Sequence, residues 1–257
     1  MVEIPNGLIE GRVLQREIWT EQLFTLTIEA AVEPYQAGQF TKLGLVKSNG
    51  EWVRRAYSFV NSPEHAQGFQ CMEFLIIKDD QGELTPLLHA LTPGDSLYVA
   101  RKASGFMTLN EIPEQSKDLW LMATGTAIGP HLAILDTQEA KTRFENIVLV
   151  HGVRTTEDLV YQERITQLGR HWGQKFRYVP VVSRENNLKA LRGRIPALIG
   201  NGELERGAAL SLDVDRSFVY LCGNPAMVKD TSEALKALGL TKHLRRKDGQ
   251  FNSENYW

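Results

Sequence analysis

Apolar residues recur in this chain with two different rhythms, and the change between them constrains the fold more than any single motif. In the first hundred residues the run LFTLTI, Leu23 to Ile28, mixes apolar and hydroxyl side chains. The runs QFTKLGLV, RRAYSFV, MEFLIIK and DSLYVAR follow, parted by Gly, Pro, Asn and Asp clusters. Near-alternation at period two marks half-buried strands. Five or six of them at this spacing predict a small antiparallel barrel or sandwich. One short helix is expected at TPLLHAL, starting near Thr85 with Pro86 at its first position, where the missing N–H costs nothing.

The second half reads differently. DLWLMAT, NIVLVHGV, FRYVPVVS and SFVYLCG are buried-type strands, and GPHLAILDTQEA, TEDLVYQERITQLGRHW, GRIPALIGNGEL and PAMVKDTSEALKALG between them carry helical patterns. Strands alternating with helices imply right-handed crossovers and a parallel sheet covered on both faces. The expected fold is therefore two domains, an N-terminal antiparallel β-barrel followed by an α/β parallel-sheet nucleotide-binding domain. The boundary falls in GFMTLNEIPEQSKD, residues 105–118, which divides the chain into 1–107 and 108–257.

Composition removes several function classes. A net charge of −2 gives no basic field for nucleic acid. Cys71 and Cys222 are the only cysteines, without the spacing of a zinc site or a disulfide framework, so no metal is expected. MVEIPNGLIEG has acidic residues and a proline where a secretory signal carries basic and apolar blocks, and no apolar run approaches the roughly 20 residues of a membrane span. A soluble, cytoplasmic protein is expected.

Three stretches carry chemistry in the second half. In ATGTAIGP, Gly125 and Gly129 stand at a spacing of four, with Thr126 and Ala127 between them. A glycine turn from strand into helix brings backbone N–H groups to a pyrophosphate, but it also serves plain structural turns. Arg154 and Arg184 follow strands and Arg194 lies in GRIP. Guanidinium groups at the carboxyl edge of a parallel sheet suit a phosphate dianion, which would mark NADP(H) over NAD(H); the competing reading is three solvated arginines. CGNP, Cys222 to Pro225, sets a thiol where a strand becomes a helix, either as a small buried hydrophobe or beside a bound ring.

The first half offers two more. RRAYSFV puts Arg55 and Tyr57 on one face of a strand and Ser58 on the other, which suits a cation beside a phosphate and an aromatic plate against a flat ring. GELTP, Gly82 to Pro86, offers a helix start as a second phosphate seat or as a plain cap.

In this order, R-x-Y-S, GELTP, GTAIGP, VSRE, GRIPALI, CGNP, TKHLRR and a terminal aromatic pair resemble the ferredoxin-NADP reductase family, and most closely its bacterial flavodoxin/ferredoxin members that end in Tyr-Trp. The resemblance covers nearly the whole chain. It implies that FAD occupies the first domain and NADP(H) the second. On that basis Arg55 binds the FAD pyrophosphate, Ala56 lies in the same cofactor-binding run, Tyr57 stacks on the isoalloxazine and Ser58 bonds near flavin N5. Leu75, Ile76, Ile77 and Lys78 line the FAD, as do Glu83, Leu84 and Thr85. Thr126 stands where flavin and nicotinamide meet, beside Gly125. Arg154, Arg184 and Arg194 correspond to the 2′-phosphate site, and Cys222, followed by Asn224, to the thiol beside the nicotinamide. Ser58 and Cys222 take the catalytic positions, aligning the rings. Tyr256 is expected over the flavin face opposite Tyr57, with Trp257 along the adenine half. Glu254, separated from Tyr256 by Asn255, departs from the plant-type ending, which puts a catalytic role for it in doubt.

The activity so implied is electron transfer between NADPH and one-electron carriers, ferredoxin or flavodoxin, with an NAD(P)H-dependent flavin or small-molecule reductase as the alternative on the same scaffold. A monomer with a basic docking face is expected, centred on Lys242, Arg245, Arg246 and Lys247 and joined by Lys42, Arg54, Arg101 and Lys102.

Overall fold

The structure, a computed structural model, describes residues 3–244 and 246–255. Six strands form the first sheet: β1 (Leu8–Ile18), β2 (Leu23–Ala30), β3 (Phe40–Val46), β4 (Trp52–Ser58), β5 (Cys71–Ile77) and, after helix α1 (Thr85–Ala90), β6 (Ser96–Ala100). They pair antiparallel in the order β4-β3-β6-β1-β2-β5. Phe24, Leu26 and Ile28, at period two along β2, fill the interior with Leu43, Val53, Phe74 and Val99. Strands β4 and β5 are the two edges. The Val60 N–H donates to the Glu73 carbonyl at 2.8 Å and joins them at one end, so the sheet curls into a barrel with a seam between β4 and β5.

The second sheet begins with β7 (Asp118–Thr124), α2 (Ile128–Leu135), α3 (Gln138–Arg143), β8 (Asn146–Val153), α4 (Gln162–Trp172) and β9 (Phe176–Val182). It continues with β10 (Leu191–Arg192), α5 (Ile195–Gly200), α6 (Glu203–Ala208), β11 (Ser217–Gly223), α7 (Pro225–Ala237) and β12 (Phe251–Asn255). All pairs are parallel, in the order β10-β9-β8-β7-β11-β12. Strand parity sorts two cores. Leu119, Leu121, Ala123, Tyr220 and Cys222 face α2, α3 and α4, while Trp120, Met122, Val219 and Leu221 face α5, α6 and α7. The first of these cores also takes in Leu23, Val60 and Leu75 of the barrel, so the two sheets share apolar packing.

Three expected helices are each broken by local chemistry. GPHLAILDTQEA divides because the Thr137 hydroxyl accepts the Ala140 N–H at 3.2 Å and starts a new helix. In TEDLVYQERITQLGRHW only Gln162–Trp172 is α-helical; Thr156–Asp158 is a single 3₁₀ turn, and Tyr161 at φ 60° separates the two. GRIPALIGNGEL breaks at Gly202, φ 73°, into α5 and α6. Strand β12 is an addition that the rhythm of the sequence did not reveal.

Polar bonds lock the sheets together at two places. The Arg164 guanidinium, on α4, donates to the Val60 carbonyl at 3.0 Å and to Glu73 of β5 at 3.2 Å, and also meets Asp136 at the end of α2. Beside it the Tyr161 hydroxyl donates to Glu73 at 2.7 Å and lies 2.8 Å from the Thr25 hydroxyl, which accepts the Trp19 indole N–H at 2.8 Å. At the second place, the stretch read as a boundary is held along its length. The Tyr220 hydroxyl donates to the Thr108 carbonyl at 2.7 Å, and Arg143 donates to the carbonyls of Leu109, Ile112 and Pro113.

Among the described residues, no helix is long and apolar enough to cross a membrane. Removing Arg164 leaves Glu73 and Asp136 facing each other in a mostly dehydrated site. Arg164→Met is therefore expected to lower unfolding free energy by about 2–4 kcal/mol, and Tyr161→Phe by about 1 kcal/mol, both measured by urea denaturation. Wild-type stability in Arg164→Met would show that the cluster is not a clamp.

Candidate active site at the junction of the two sheets

Strands β7, β8 and β9 step outward in one direction and β11 and β12 in the other, so the chain leaves the carboxyl ends of β7 and β11 toward opposite sides. A crevice at such a switch point is where open parallel sheets bind ligands. Its two lips are Thr124–Gly125 and Gly223–Asn224. They touch: the Asn224 N–H donates to the Thr124 hydroxyl at 3.2 Å, and a Cβ on Gly223, at φ 144°, would lie 2.1 Å from that same oxygen. Only glycine fits there. Gly125, at φ 57°, has no atom within 4 Å of where its Cβ would stand, which leaves the top of the turn open.

The turn is held from beneath by a residue that sequence reasoning missed. His151, in register with Ala123 across β7 and β8, places Nε2 3.1 Å from the Gly125 carbonyl. Burial lowers its pKa to about 4, so the ring is neutral and Nε2–H is the donor that this bond requires. His131, on α2, is likewise buried and neutral, its pKa lowered to about 3 by burial and by His151. Their burial in the core gave no pattern at the sequence level. Gly129, in contrast, serves close packing: its Cβ would meet the Val60 side chain at 3.1 Å, so α2 lies directly against the chain that leaves β4.

On the barrel side, Ser58 and Tyr57 end β4, and the Gly125–Ala127 turn touches β5. Ser58 and Thr126 are both buried, and neither hydroxyl has a protein partner among the described residues. Tyr57 is half-buried, which pushes its phenol up to about 12 and keeps it neutral. Leu75 and Ile76 are buried but Ile77, at the end of the seam, is 45% exposed. Lys78 pairs with Asp80 at 2.7 Å. Arg55 and Ala56 are exposed, and Glu83 holds the Arg55 guanidinium at 3.2 Å and Lys47 at 3.0 Å. Leu84 is buried. The Thr85 hydroxyl accepts the Asp79 N–H at 2.9 Å and closes its own turn.

Cys222 is fully enclosed near the end of β11, in register with Ala123 on one side and Glu254 on the other. Burial, then the Glu254 carboxylate, push the thiol well above its usual range, so it is a neutral sulfur and not a nucleophile. Glu254 accepts the Phe106 N–H at 2.9 Å, tying the last strand to the segment between the sheets. The Asn224 side chain accepts the Ala226 N–H at 2.9 Å and caps α7.

The three arginines stand at strand ends. Arg154 follows β8 directly, Arg184 lies two residues past β9, and Arg194 stands at the residue before α5, just after Gly193, whose N–H donates to the Val182 carbonyl of β9 at 3.1 Å. All three are exposed, and their guanidinium groups have no protein partner among the described residues. Nearby Arg192, by contrast, donates to Asn186 at 2.6 Å. Expectations for Arg245, Tyr256 and Trp257 lie outside the described residues.

Residues 121–233 match the family described as oxidoreductase NAD-binding domain. The chain is 47% identical over 250 residues to the flavodoxin/ferredoxin-NADP reductase of Escherichia coli K12, covering 97% of this chain and 98% of that protein. The protein of the same name from Shigella flexneri matches to the same extent. Among solved structures, a ferredoxin NADP+ reductase from Neisseria gonorrhoeae with bound FAD and NADP superposes with a TM-score of 0.90, at 32% identity, covering 98% of this chain and 100% of that one.

Burial dominates at Glu254 and raises its carboxyl pKa. The folded state thus holds the proton to higher pH than the unfolded one. Burying this carboxyl costs nothing below the ordinary carboxylate range and increasingly more as pH rises through the raised value. Glu254→Gln keeps an oxygen for the Phe106 N–H and removes the charge. It is expected to melt above wild type at about pH 8, with the difference gone by about pH 4. A lower melting temperature at both would mean that the ionised form stabilises the fold.

Proposed function

The chain belongs to the flavodoxin/ferredoxin-NADP reductase family, and from that membership and the site geometry we propose that residues 1–107 hold FAD, that residues 108–257 hold NADP(H), and that electrons pass between NADPH and one-electron carrier proteins. The observation that carries the nucleotide choice is the set of three unpartnered guanidinium groups at neighbouring strand ends. A dehydrated phosphate dianion offers them the bidentate bonds that a ribose hydroxyl does not. What supports FAD is the seam: a half-buried phenol on β4, two hydroxyls without protein partners at Ser58 and Thr126, and an exposed Ile77 together suit a flat, amphipathic ring.

The flavin supplies the conversion of a two-electron donor into one-electron steps, and the protein supplies placement. Tyr57 packs one ring face and Ser58 offers its hydroxyl at the ring edge. Thr126, after β7, would meet the nicotinamide at that edge, with the enclosed Cys222 of β11 behind it. Arg55, steadied by Glu83, meets the FAD phosphates, with Ala56, Leu75, Ile76, Lys78, Leu84 and Thr85 around the cofactor. Gly125 and Asn224 frame the crevice for NADP(H), and Arg154, Arg184 and Arg194 hold its 2′-phosphate. No side chain here is required as a base. Holding two rings in register contributes on the order of several kcal/mol to the barrier.

For the carrier, Lys42, Arg54, Arg101 and Lys102 line one groove on the barrel, and Lys42 pairs with Ala56 across β3 and β4, beside the proposed flavin. Lys242 bridges to Phe251, at the start of β12, so Lys242, Arg246 and Lys247 sit away from the carboxyl edge. Electron transfer weakens steeply with distance, which favours the groove as the landing place for an acidic ferredoxin or flavodoxin. Two buried, unbridged thiols fit a cytosolic protein, and we take it to act as a monomer.

Arg184→Ala is expected to raise the KM for NADPH at least tenfold, equivalent to about 1.5–3 kcal/mol, and to affect NADH far less. Reduction of purified flavodoxin or ferredoxin by NADPH should fall with added salt, more so than reduction of a neutral quinone. Equal loss with both nucleotides would remove the 2′-phosphate site. Salt-independent carrier reduction would favour a small-molecule reductase.

A further inference from the structure

Arg154 and Arg184 ride on two loops that are stitched to each other. Two of the stitches extend the parallel ladder past the strands: Ser183 N–H to the Val153 carbonyl at 3.1 Å, and Arg184 N–H to the Arg154 carbonyl at 2.9 Å. A third comes from a side chain. The Glu185 carboxylate accepts the Thr156 N–H at 2.7 Å, the first N–H of the 3₁₀ turn Thr156–Asp158. Asn187 adds a weaker bond to the Thr156 hydroxyl at 3.2 Å. Thr155 and Asp158 close that turn internally as a capping box, so Glu185, and more weakly Asn187, anchor it from outside.

Glu185 is exposed and directly follows Arg184, yet among the described residues it forms no ion pair with Arg184 or Arg154. Its bonds to Thr156 hold the carboxyl below the ordinary range, so it stays ionised. An anion in this position, if released, has two alternatives. It can neutralise a neighbouring guanidinium, or it can accept the hydroxyls of an unphosphorylated ribose, which is the contact that distinguishes NAD(H) sites.

We propose that Glu185 determines cofactor specificity as a positioning residue: by accepting the Thr156 N–H it fixes the Arg154 loop against the Arg184 loop and keeps its own charge off the pocket between them. This rests on the assignment of those arginines to the 2′-phosphate. The ligand class is a 2′-phosphorylated adenosine nucleotide, and the selectivity is lost when either partner of the bond is removed.

The backbone donor lies at a position that accepts proline. Thr156 is the first residue of its turn, where proline is tolerated, and Thr155 at φ −127°, ψ 163° already has the extended conformation that must precede proline. Thr156→Pro thus frees the carboxylate, Glu185→Ala removes it, and Glu185→Gln keeps an acceptor oxygen without the charge. Asn187→Ala accounts for the side-chain bond that the proline variant also loses.

The probes are 2′,5′-ADP and 5′-AMP, which differ by the 2′-phosphate alone, titrated calorimetrically into the purified protein, alongside kcat/KM for NADPH and NADH. Glu185→Ala is expected to weaken 2′,5′-ADP binding by roughly fivefold or more relative to 5′-AMP, and Glu185→Gln to stay within about twofold of wild type. Thr156→Pro should lose NADPH efficiency as Glu185→Ala does and gain with NADH, because the freed carboxylate meets the ribose hydroxyls. Wild-type discrimination in Glu185→Ala would overturn the proposal, as would a Gln variant as impaired as the Ala variant. Wild-type protein that binds both probes equally would overturn the arginine site itself, and this inference with it.

Discussion

One guanidinium, that of Arg164, lies between the carboxylates of Glu73 and Asp136 and ties the barrel to the parallel sheet. Every proposed contact between flavin and nicotinamide crosses that junction: Tyr57, Ser58 and Ile77 belong to the barrel, Thr126 and Cys222 to the parallel sheet. Interfaces between domains are by default loose. This one is tied on the α4 side by Arg164 and Tyr161, in the middle by apolar packing of α2 on Val60, and along the connecting segment by Tyr220, Arg143 and Glu254. Three separate attachments leave little freedom for hinge motion.

Charge is distributed in a matching way. Four titratable groups around the crevice, Cys222, His131, His151 and Tyr57, are held neutral by burial, and burial also raises the carboxyl pKa of Glu254 beside Cys222. The cations stand at its rim, on strand ends and on the barrel groove. A largely neutral interior with cations at its rim suits the proposed arrangement of uncharged rings within and phosphates at the edge. The net charge of −2 conceals this arrangement because it averages over both regions.

The features that the sequence made legible are those governed by local backbone geometry. R-x-Y-S needed only strand parity, GTAIGP only a strand that turns into a helix, and Arg154 and Arg184 only their place past apolar runs. What stayed hidden depends on partners far along the chain. Arg164 and Glu73 stand 91 positions apart, and neither carries a local pattern. Tyr161 adopts a left-handed conformation that its type does not announce. Lys242 is conspicuous in sequence as part of a basic run, yet its bridge to Phe251, the first residue of β12, has no local signal. Glu185, next to an arginine, reads as an ordinary solvated pair until the second loop is seen beside it.

The close approach of Gly129 to Val60 has a further consequence. At 3.1 Å a methyl group on residue 129 would oblige its neighbour to yield by a few tenths of an ångström. That neighbour is a methyl of the Val60 side chain, while the backbone of Phe59 and Val60 stands at 3.9 Å, an ordinary contact. Val60 is also where the two barrel edges meet, through its N–H to the Glu73 carbonyl, and where Arg164 grips the barrel, through its carbonyl. The clearance between α2 and the barrel is thus set by a carbon that position 129 leaves out.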